Sequence, residues 1–274
     1  IALVQWLQGV ADASGVRWFN VPFTTFTDHA LKASFDTALE VVQRFDRAFV
    51  NFKVAEGGQV NRLGALHTAK FIKSVARLSA NGYDNFRIGA TCNTPPNTPF
   101  FPFAWHCGGE HAFSIGLELP NRFLEVIDAN KGAGLETIRA ELLAMLVPEL
   151  KAVEAFAQSL SADTGMGYKG VDLSLAPFPD DVGSVARLVE LLGLEGFGAN
   201  GTLFFTAWLT DVLRAAGAQS GIRSAGFNGV MYSLLEDPYF FTIASRIFRS
   251  FALRDRFFSF FRRSSASTTA CFSA

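Results

Sequence analysis

The chain has 274 residues and a formal net charge of −1 at pH 7, and 49% of its residues are hydrophobic. Such a chain can bury a large core, as one α/β domain or two smaller ones. The near-neutral balance excludes general nucleic-acid binding through a strongly basic surface. Charged residues are only 18%, which predicts that a partner or further chain covers part of the apolar surface.

Strands and helices alternate along most of the chain. Apolar periodicity, capping residues and turn residues predict helices at 1–13, 31–45, 61–80, from Pro120, 135–160, 183–192 and 202–216. The same signals predict strands at 16–21, 48–54, 85–91, 112–119 and 171–175, and a hairpin at 224–235. Pro22 is expected to end the first strand, and Pro148 to kink or divide the longest helix. This order favours a largely parallel sheet or a barrel with outer helices.

Cysteine usage favours a reducing compartment, either the cytoplasm or the interior of an organelle. Cys92, Cys107 and Cys271 are widely spaced and odd in number, so no disulfide framework is expected. No pair has the C-x-x-C spacing of a thiolate zinc site. No apolar run reaches the roughly 18 residues of a transmembrane helix, and no signal peptide is visible.

The segment 170–177 is the most informative stretch of the sequence. It places Asp172 and Ser174 two residues apart in an apolar run, and therefore on the same face of a strand. A buried strand keeps such groups only where they are hydrogen-bonded or take part in chemistry. Facing a barrel interior, Asp172 is a candidate general base and Ser174 a candidate substrate ligand. The alternative is a structural aspartate bonded to the amides of a neighbouring loop, and both interpretations stay open.

A second candidate site is the densest group of metal-ligating residues in the chain: His106, Cys107, Glu110, His111 and Glu118. Imidazole and carboxylate ligands suit zinc or another first-row divalent metal, and His106, His111 and Glu118 are the predicted ligands. The alternative is a pair of loop histidines, with Glu118 capping the helix that begins at Pro120.

Two loops are candidate binding elements. The glycine-rich segment 193–202 opens a helix, so its free amides at Asn200 and Gly201, with Thr202 as the cap, are predicted to bind an anionic substrate group. The alternative is a tight connection between two helices. The proline-rich loop 94–102 is predicted to form one side of a substrate pocket, or else to be pinned into the core by its aromatic residues.

The composition changes after Pro238, which predicts an α/β barrel-like domain at 1–238 and a Phe/Arg-rich segment at 239–274. Residues 240–252 form an amphipathic pattern typical of a partner-binding helix, a buried barrel helix or, less favoured, a helix at a membrane surface. The acidic pair before Pro238 is interpreted as a surface turn rather than a cation site.

Ordered motifs between Gly15 and Pro238 resemble uncharacterised protein family 0210, also called domain of unknown function 711. The segments that carry the resemblance are 98–106 (TPFFPFAWH), 113–118 (FSIGLE), 170–177, 183–186, 198–202, 209–211 and 226–237. The resemblance implies a fold similar to pyruvate formate-lyase and other glycyl-radical enzymes, a β/α barrel that is incomplete in this chain. Family members are longer, so the chain is expected to be truncated at both ends. No glycyl radical is expected, because no stretch resembles a glycyl-radical loop.

The predicted function is acid–base or metal-assisted chemistry on a small polar or anionic metabolite. Asp172, His106 and Glu118 are the predicted catalytic residues, and Ser174, Asn200, Gly201 and Thr202 the predicted substrate ligands. The alternative is a non-catalytic structural or accessory subunit of a larger assembly. The low charge favours an oligomer in either case.

Overall fold

The computed structural model describes residues 1–24, 31–95, 98–99, 108–178, 183–233, 236–237 and 239. The elements before residue 95 are α1 (Ala2–Ala13), β1 (Phe19–Thr24), α2 (Leu31–Arg44), β2 (Ala48–Glu56), β3 (Gln59–Val60), α3 (Arg62–Val75), a 3₁₀ segment (Ala80–Arg87) and β4 (Ile88–Cys92). The later elements are β5 (Ala112–Gly116), α4 (Pro120–Ala129), α5 (Leu135–Thr164), β6 (Gly167–Asp172), α6 (Val185–Leu191) and α7 (Thr202–Ser220). The predicted C-terminal segment 239–274 lies, apart from Tyr239, outside the described residues.

The first sheet is built around β2. Strands β1 and β4 pair with it in parallel, with Phe19 opposite Ala48 and Val50 opposite Ile88. Strand β3 returns antiparallel to β2 through the glycine turn at 57–58. Strand β2 is buried on both faces: α2 and α3 pack on the face that carries Phe52, and the rings of Trp18 and Phe86 contact Phe49 on the other.

The core under this sheet is aromatic and β-branched. Phe35 of α2 stacks on Phe52 of β2 with ring centroids 4.5 Å apart, and Phe71 of α3 meets Phe52 edge-on at 5.0 Å. Offset and edge-on ring pairs are the arrangements that the ring quadrupole favours. The predicted helices at 1–13 and 31–45 are thus confirmed, whereas the helix predicted to reach residue 80 ends at Val75.

Two prolines behave differently from the prediction. Pro22 lies inside β1 rather than after it, opposite Asn51. An edge strand tolerates proline, because an N–H that faces away from the ladder is not needed there. Pro148 lies inside the continuous helix α5, so it does not divide that helix.

The second sheet consists of the parallel strands β5 and β6, which end side by side. Gly116 lies opposite Asp172, and the Leu117 amide donates to the Asp172 carbonyl at 3.1 Å. The hairpin predicted at 224–235 is wrong for the part that the structure describes. Ser224 and Val230 instead make isolated parallel bridges to Val171 and Leu175, so this segment follows the chain beyond β6 rather than folding on itself.

The chain divides into two compact units. The first comprises 1–118, 143–174 and 210–229 and contains both sheets; the second comprises the described residues within 119–142, 175–209 and 230–274. In the second unit α4 packs on α6, and Phe123, Ile127 and Leu188 are fully buried there. The fold is therefore mixed α/β with sheets of four and two strands, and the barrel stays a prediction.

None of the helices in the described part of the chain is both long enough and apolar enough to cross a membrane.

Candidate functional site

The carboxylate of Asp172 terminates β6 and holds the loop at 226–229. Asp172 is 2% exposed. Its Oδ1 accepts hydrogen bonds from the Ser174 amide at 2.7 Å, from the Ser174 hydroxyl and from the Asn228 amide at 3.3 Å, while Oδ2 accepts from the Phe227 amide at 2.8 Å. A buried carboxylate needs such donors to offset the loss of water. These are the contacts of an anchor for a neighbouring loop, and a catalytic role for Asp172 stays a prediction.

Ser174 and Asn228 complete this anchor. The Ser174 hydroxyl, which donates to Asp172, also accepts from the Gly229 amide at 3.4 Å. Asn228 adopts a left-handed φ of 52°, and its side-chain oxygen accepts from the Leu173 amide at 3.0 Å. Asparagine tolerates this backbone conformation better than most residues. Both predicted residues of segment 170–177 therefore contact the same loop.

Glu118 lies just beyond the carboxyl end of β5, beside the end of β6 that carries Asp172. It follows Gly116, which lies opposite Asp172, and it is exposed to solvent. In α/β folds, ligands bind beyond the carboxyl ends of parallel strands, so an exposed carboxylate at this point is available to a substrate. Glu118 is the predicted catalytic residue that the described structure leaves most accessible.

The predicted metal ligands are only partly described. His106 and Cys107 lie outside the described residues, while His111 is exposed. Glu110, just before β5, forms an ion pair with Lys169 of β6. The hydrogen bond and positive charge of Lys169 hold the pKa of Glu110 below its usual range. Within the part of the chain that the structure describes, no three His, Cys, Asp or Glu residues converge on a metal position. A metal held by His106, His111 and Glu118 stays a prediction.

A cleft of about 360 Å³ opens at the carboxyl ends of β2 and β4, a size typical of small-ligand pockets. Its lining residues are Lys53, Ala55, Glu56, Gly57, Gly58, Thr91, Asn93, Thr94 and Pro95. Lys53 and Thr91 are partners in the β2–β4 register, so their side chains share one face of the sheet. The sequence prediction missed Lys53, although a lysine inside the apolar run 48–55 was a usable signal.

Asn93 fixes the rim of this cleft. It has a left-handed φ of 50°, its amide donates to the Ala55 carbonyl at 3.0 Å, and its side-chain oxygen accepts from the Gly58 amide at 3.0 Å. Gly57 and Gly58 both have positive φ, as a two-residue hairpin turn requires. The turn and the end of β4 are therefore tied together before any ligand binds.

One proline-rich stretch leads from the carboxyl end of β4 towards the carboxyl end of β5. Thr94 and Pro95 line the cleft, and a substrate pocket formed by the whole loop 94–102 stays a prediction, because residues 96–97 and 100–102 lie outside the described part. Four residues further on, the Pro99 carbonyl lies against Gly116, within 3.0 Å of where a Cβ would stand. Four residues span at most about 14 Å between Cα atoms, so Pro95 at the cleft lies within that distance of Pro99 at the end of β5.

The glycine-rich segment lies in the second unit and closes on itself. The Thr202 hydroxyl accepts from the Gly198 amide at 3.0 Å and donates to the Ala199 carbonyl at 2.8 Å. Thr202 therefore closes the preceding turn instead of accepting from the first turn of α7, as a helix cap would. Asn200 and Gly201 are exposed, and substrate binding by these three residues stays a prediction.

Asp237 caps α6 from inside the second unit. It is fully buried, and its carboxylate accepts from the Ser184 hydroxyl at 2.7 Å and from the Val185 and Ala186 amides at 2.9 Å each. The surface turn predicted around this residue is wrong. The missed signal was a carboxylate that can satisfy the free amides of a helix start.

The fold and these sites define a mixed α/β protein with parallel strands. A cleft lies at the carboxyl ends of β2 and β4, and the exposed carboxylate of Glu118 follows the carboxyl end of β5. A family model for uncharacterised conserved proteins, domain of unknown function 711, matches residues 1–247. The chain belongs to this family, as the motifs between Gly15 and Pro238 predicted.

The relatives carry no assigned activity in their names. A UPF0210 protein of Methanopyrus kandleri is 28% identical over 244 residues, covering 86% of this chain and 54% of the relative. The corresponding protein of Carboxydothermus hydrogenoformans is 29% identical over 194 residues, covering 69% and 43%. That of Acetivibrio thermocellus is 28% identical over 248 residues, covering 86% and 54%. The chain thus spans about half the length of the curated relatives it matches.

Proposed function

We propose that this chain belongs to an enzyme that performs acid–base chemistry, assisted by a divalent metal, on a small polar or anionic metabolite. One observation carries the proposal: the stretch that lines the cleft with Thr94 and Pro95 also packs, through Pro99, against the end of β5. The ligand is proposed to lie in the cleft, with the reacting carboxylate at Glu118, two residues beyond the end of β5 that Pro99 contacts. Barrel and other α/β enzymes place catalytic groups at this edge.

The roles follow from exposure and hydrogen bonding. Glu118 is the proposed general acid or base, because it is exposed at the strand edge. Asp172 and Ser174 support the site by fixing the loop at 226–229. They are also proposed to contact the substrate directly, Asp172 as a catalytic residue and Ser174 as a substrate ligand. His106 and His111 are proposed to bind the metal with Glu118, a proposal that rests on ligand chemistry. Asn200, Gly201 and Thr202 are proposed as further substrate ligands.

The β/α barrel of pyruvate formate-lyase type is part of this proposal. Two groups of parallel strands with intervening helices are compatible with it, and the resemblance of the sequence motifs implies it. Because the relatives are about twice as long as the matched region, a complete barrel would draw strands from family sequence that this chain does not span.

Untargeted metabolite profiling tests the proposal without knowledge of the substrate. The purified protein is incubated with a small-molecule extract, with and without added Zn²⁺, Mg²⁺ or Mn²⁺, and mass spectrometry follows consumed and formed compounds. We expect the wild type to convert a small anionic compound and Glu118→Gln to lose that conversion. Glu141→Gln, an exposed glutamate on α5, is the matched control and retains it.

Asp172→Asn separates its two roles. If Asp172 contacts substrate, the variant loses conversion at temperatures where circular dichroism shows it folded. If it only anchors the loop, conversion falls in step with the melting curve. Absence of any conversion by the wild type, with every metal tested, or full conversion by Glu118→Gln, would overturn the proposed enzyme.

A second candidate, an accessory subunit of a larger assembly, is favoured by helix α1. Its side chains Leu3, Trp6 and Val10 lie on one helical face and are 64%, 63% and 43% exposed. An exposed apolar stripe of this kind is typical of a surface that a partner covers. The proposed partners are therefore a small-molecule ligand and other protein subunits.

A further inference from the structure

The cleft at the ends of β2 and β4 has a charge pattern that selects a ligand class. Lys53 is the single cationic side chain among the described residues that line it. Its ammonium lies 2.8 Å from the Glu56 carboxylate, and the two side chains are 23% and 50% exposed. Glu56 is the exposed partner of this pair, so water competes for its carboxylate and a ligand anion can take its place beside Lys53.

Hydrogen-bond donors dominate the rest of the wall. The Asn93 side-chain oxygen is committed to the Gly58 amide, which leaves the amide nitrogen, a donor, at the other end of the group. Thr94 adds a hydroxyl, whereas the hydroxyl of Thr91 donates to the Phe52 carbonyl at 3.4 Å. The two hydrogen bonds of Asn93, from the Gly58 amide and to the Ala55 carbonyl, tie this wall together, so the donors are ordered in advance.

We propose that the cleft binds the carboxylate or phosphate group of a small metabolite. The ligand anion then takes the place of the Glu56 carboxylate beside the Lys53 ammonium. Ammonium and amide donors around a pre-ordered turn suit an oxyanion, and charge-assisted bonds are the strongest contribution to such binding. The inference rests on the proposed function and specifies its substrate class. It makes Lys53 and Asn93 binding residues and leaves proton transfer to other groups.

Amide NMR spectra recorded during titration with inorganic phosphate and, separately, with succinate test this site on the full chain. We expect the amide signals of Gly57, Gly58 and Asn93 to shift, and the more effective of the two ions identifies the group that the site prefers. Lys53→Gln should weaken the binding about tenfold or more, because it removes the charge-assisted bond. Lys73→Gln, an exposed lysine on α3, is the control with the same change of charge.

Glu56→Gln gives an independent readout with the opposite sign. Removal of the competing carboxylate takes a negative charge out of the cleft beside Lys53, so the ions should bind several-fold more tightly, whereas loss of a purely structural ion pair would not tighten binding. The inference is overturned if neither ion shifts the three amides, if Lys53→Gln binds like the wild type, or if Lys73→Gln weakens binding equally.

The two proposals fail separately. Binding that depends on Lys53, without any metabolite conversion, would remove the enzyme and keep the oxyanion site. Conversion that depends on Glu118, with oxyanion binding that Lys53→Gln does not weaken, would keep the enzyme and remove the oxyanion site.

Discussion

At the scale of single residues, Asp172 and Gly226 form one fitted contact. The loop carrying Gly226 passes so close to β6 that a Cβ at this position would overlap the Oδ2 atom of Asp172. Gly226 also has a left-handed φ of 74°. The carboxylate and the glycine are therefore both needed for the amides of Phe227 and Asn228 to reach Asp172.

Gly226→Ala should lower the free energy of unfolding by about 3 kcal/mol or more, because it adds an overlap with the buried Asp172 carboxylate to the backbone strain. Gly221→Ala is the matched control: Gly221 has a φ of 70° but no heavy atom within 4 Å of its Cβ position. We expect that variant to lose only about 1 kcal/mol, the backbone part alone. Urea unfolding measures both, and equal losses would contradict the contact.

Glu236 is a second residue whose surroundings predict a measurable effect. Burial raises the pKa of its carboxyl above the ordinary value of 4.5, so the folded state favours the neutral acid. Its contribution to stability is complete below pH 4.5 and is lost as the pH rises through the folded-state pKa, where a half-buried carboxylate must ionise.

Glu236→Gln should therefore raise the melting temperature at pH 7 and leave it unchanged well below pH 4.5. Glutamine keeps the size of the side chain and carries no charge at either pH. Thermal unfolding across this range measures the difference, with the exposed Glu195→Gln as the control. A stabilisation that persists equally at acidic pH would contradict the assignment to ionisation.

At the scale of elements, the sequence predicted local order well and long-range pairing poorly. Helices α1 and α2 begin and end close to the predicted residues, and α4 begins at Pro120 as predicted, because periodicity and caps are local signals. The hairpin at 224–235 failed because Asn228-Gly229 is a strong local turn signal, whereas the hydrogen bonds of this segment go to residues near Asp172, more than fifty positions away. Propensity does not encode such a partner.

The same distinction applies to the candidate sites. Asp172 and Ser174 were identifiable because polar residues in an apolar strand need partners, and the structure supplies those partners. The cleft was not identifiable as a unit, because Lys53 and Asn93 meet only once β2 and β4 pair. Parallel pairing across a helix is set by tertiary packing, which a single sequence does not display.

Helix α5 gives a prediction at this scale. Pro148 lies exposed in its interior, where it removes one backbone hydrogen bond, while Leu146 and Leu150 hold the helix against the core. Pro148→Ala should raise the free energy of unfolding by about 1–3 kcal/mol, since proline is the poorest residue in a helix interior. Chemical unfolding measures this gain, and the exposed Lys151→Ala on the same helix should change little. A loss of stability in Pro148→Ala would show that the proline fits a bend that the packing requires.

At the scale of the whole molecule, the low charge content and the exposed apolar face of α1 both indicate a surface that a partner covers. Only 18% of the residues are charged, and α1 presents Leu3, Trp6 and Val10 to solvent on one face. Water contact with such a stripe is unfavourable, and burying one large apolar side chain recovers about 1.5–3 kcal/mol. A second copy of the same chain offers an identical stripe, and a two-fold arrangement of the two helices would cover both at once.

We therefore expect this chain to self-associate through α1. Light scattering after size-exclusion chromatography should give about twice the monomer mass at high protein concentration, and Trp6→Gln should weaken the association about tenfold or more, because the largest apolar side chain of the stripe is lost. Gln5→Ala, on the opposite face of α1, should leave the association unchanged. A wild-type chain that stays monomeric at every concentration would contradict this interface. Association that Trp6→Gln does not weaken would assign it to another surface.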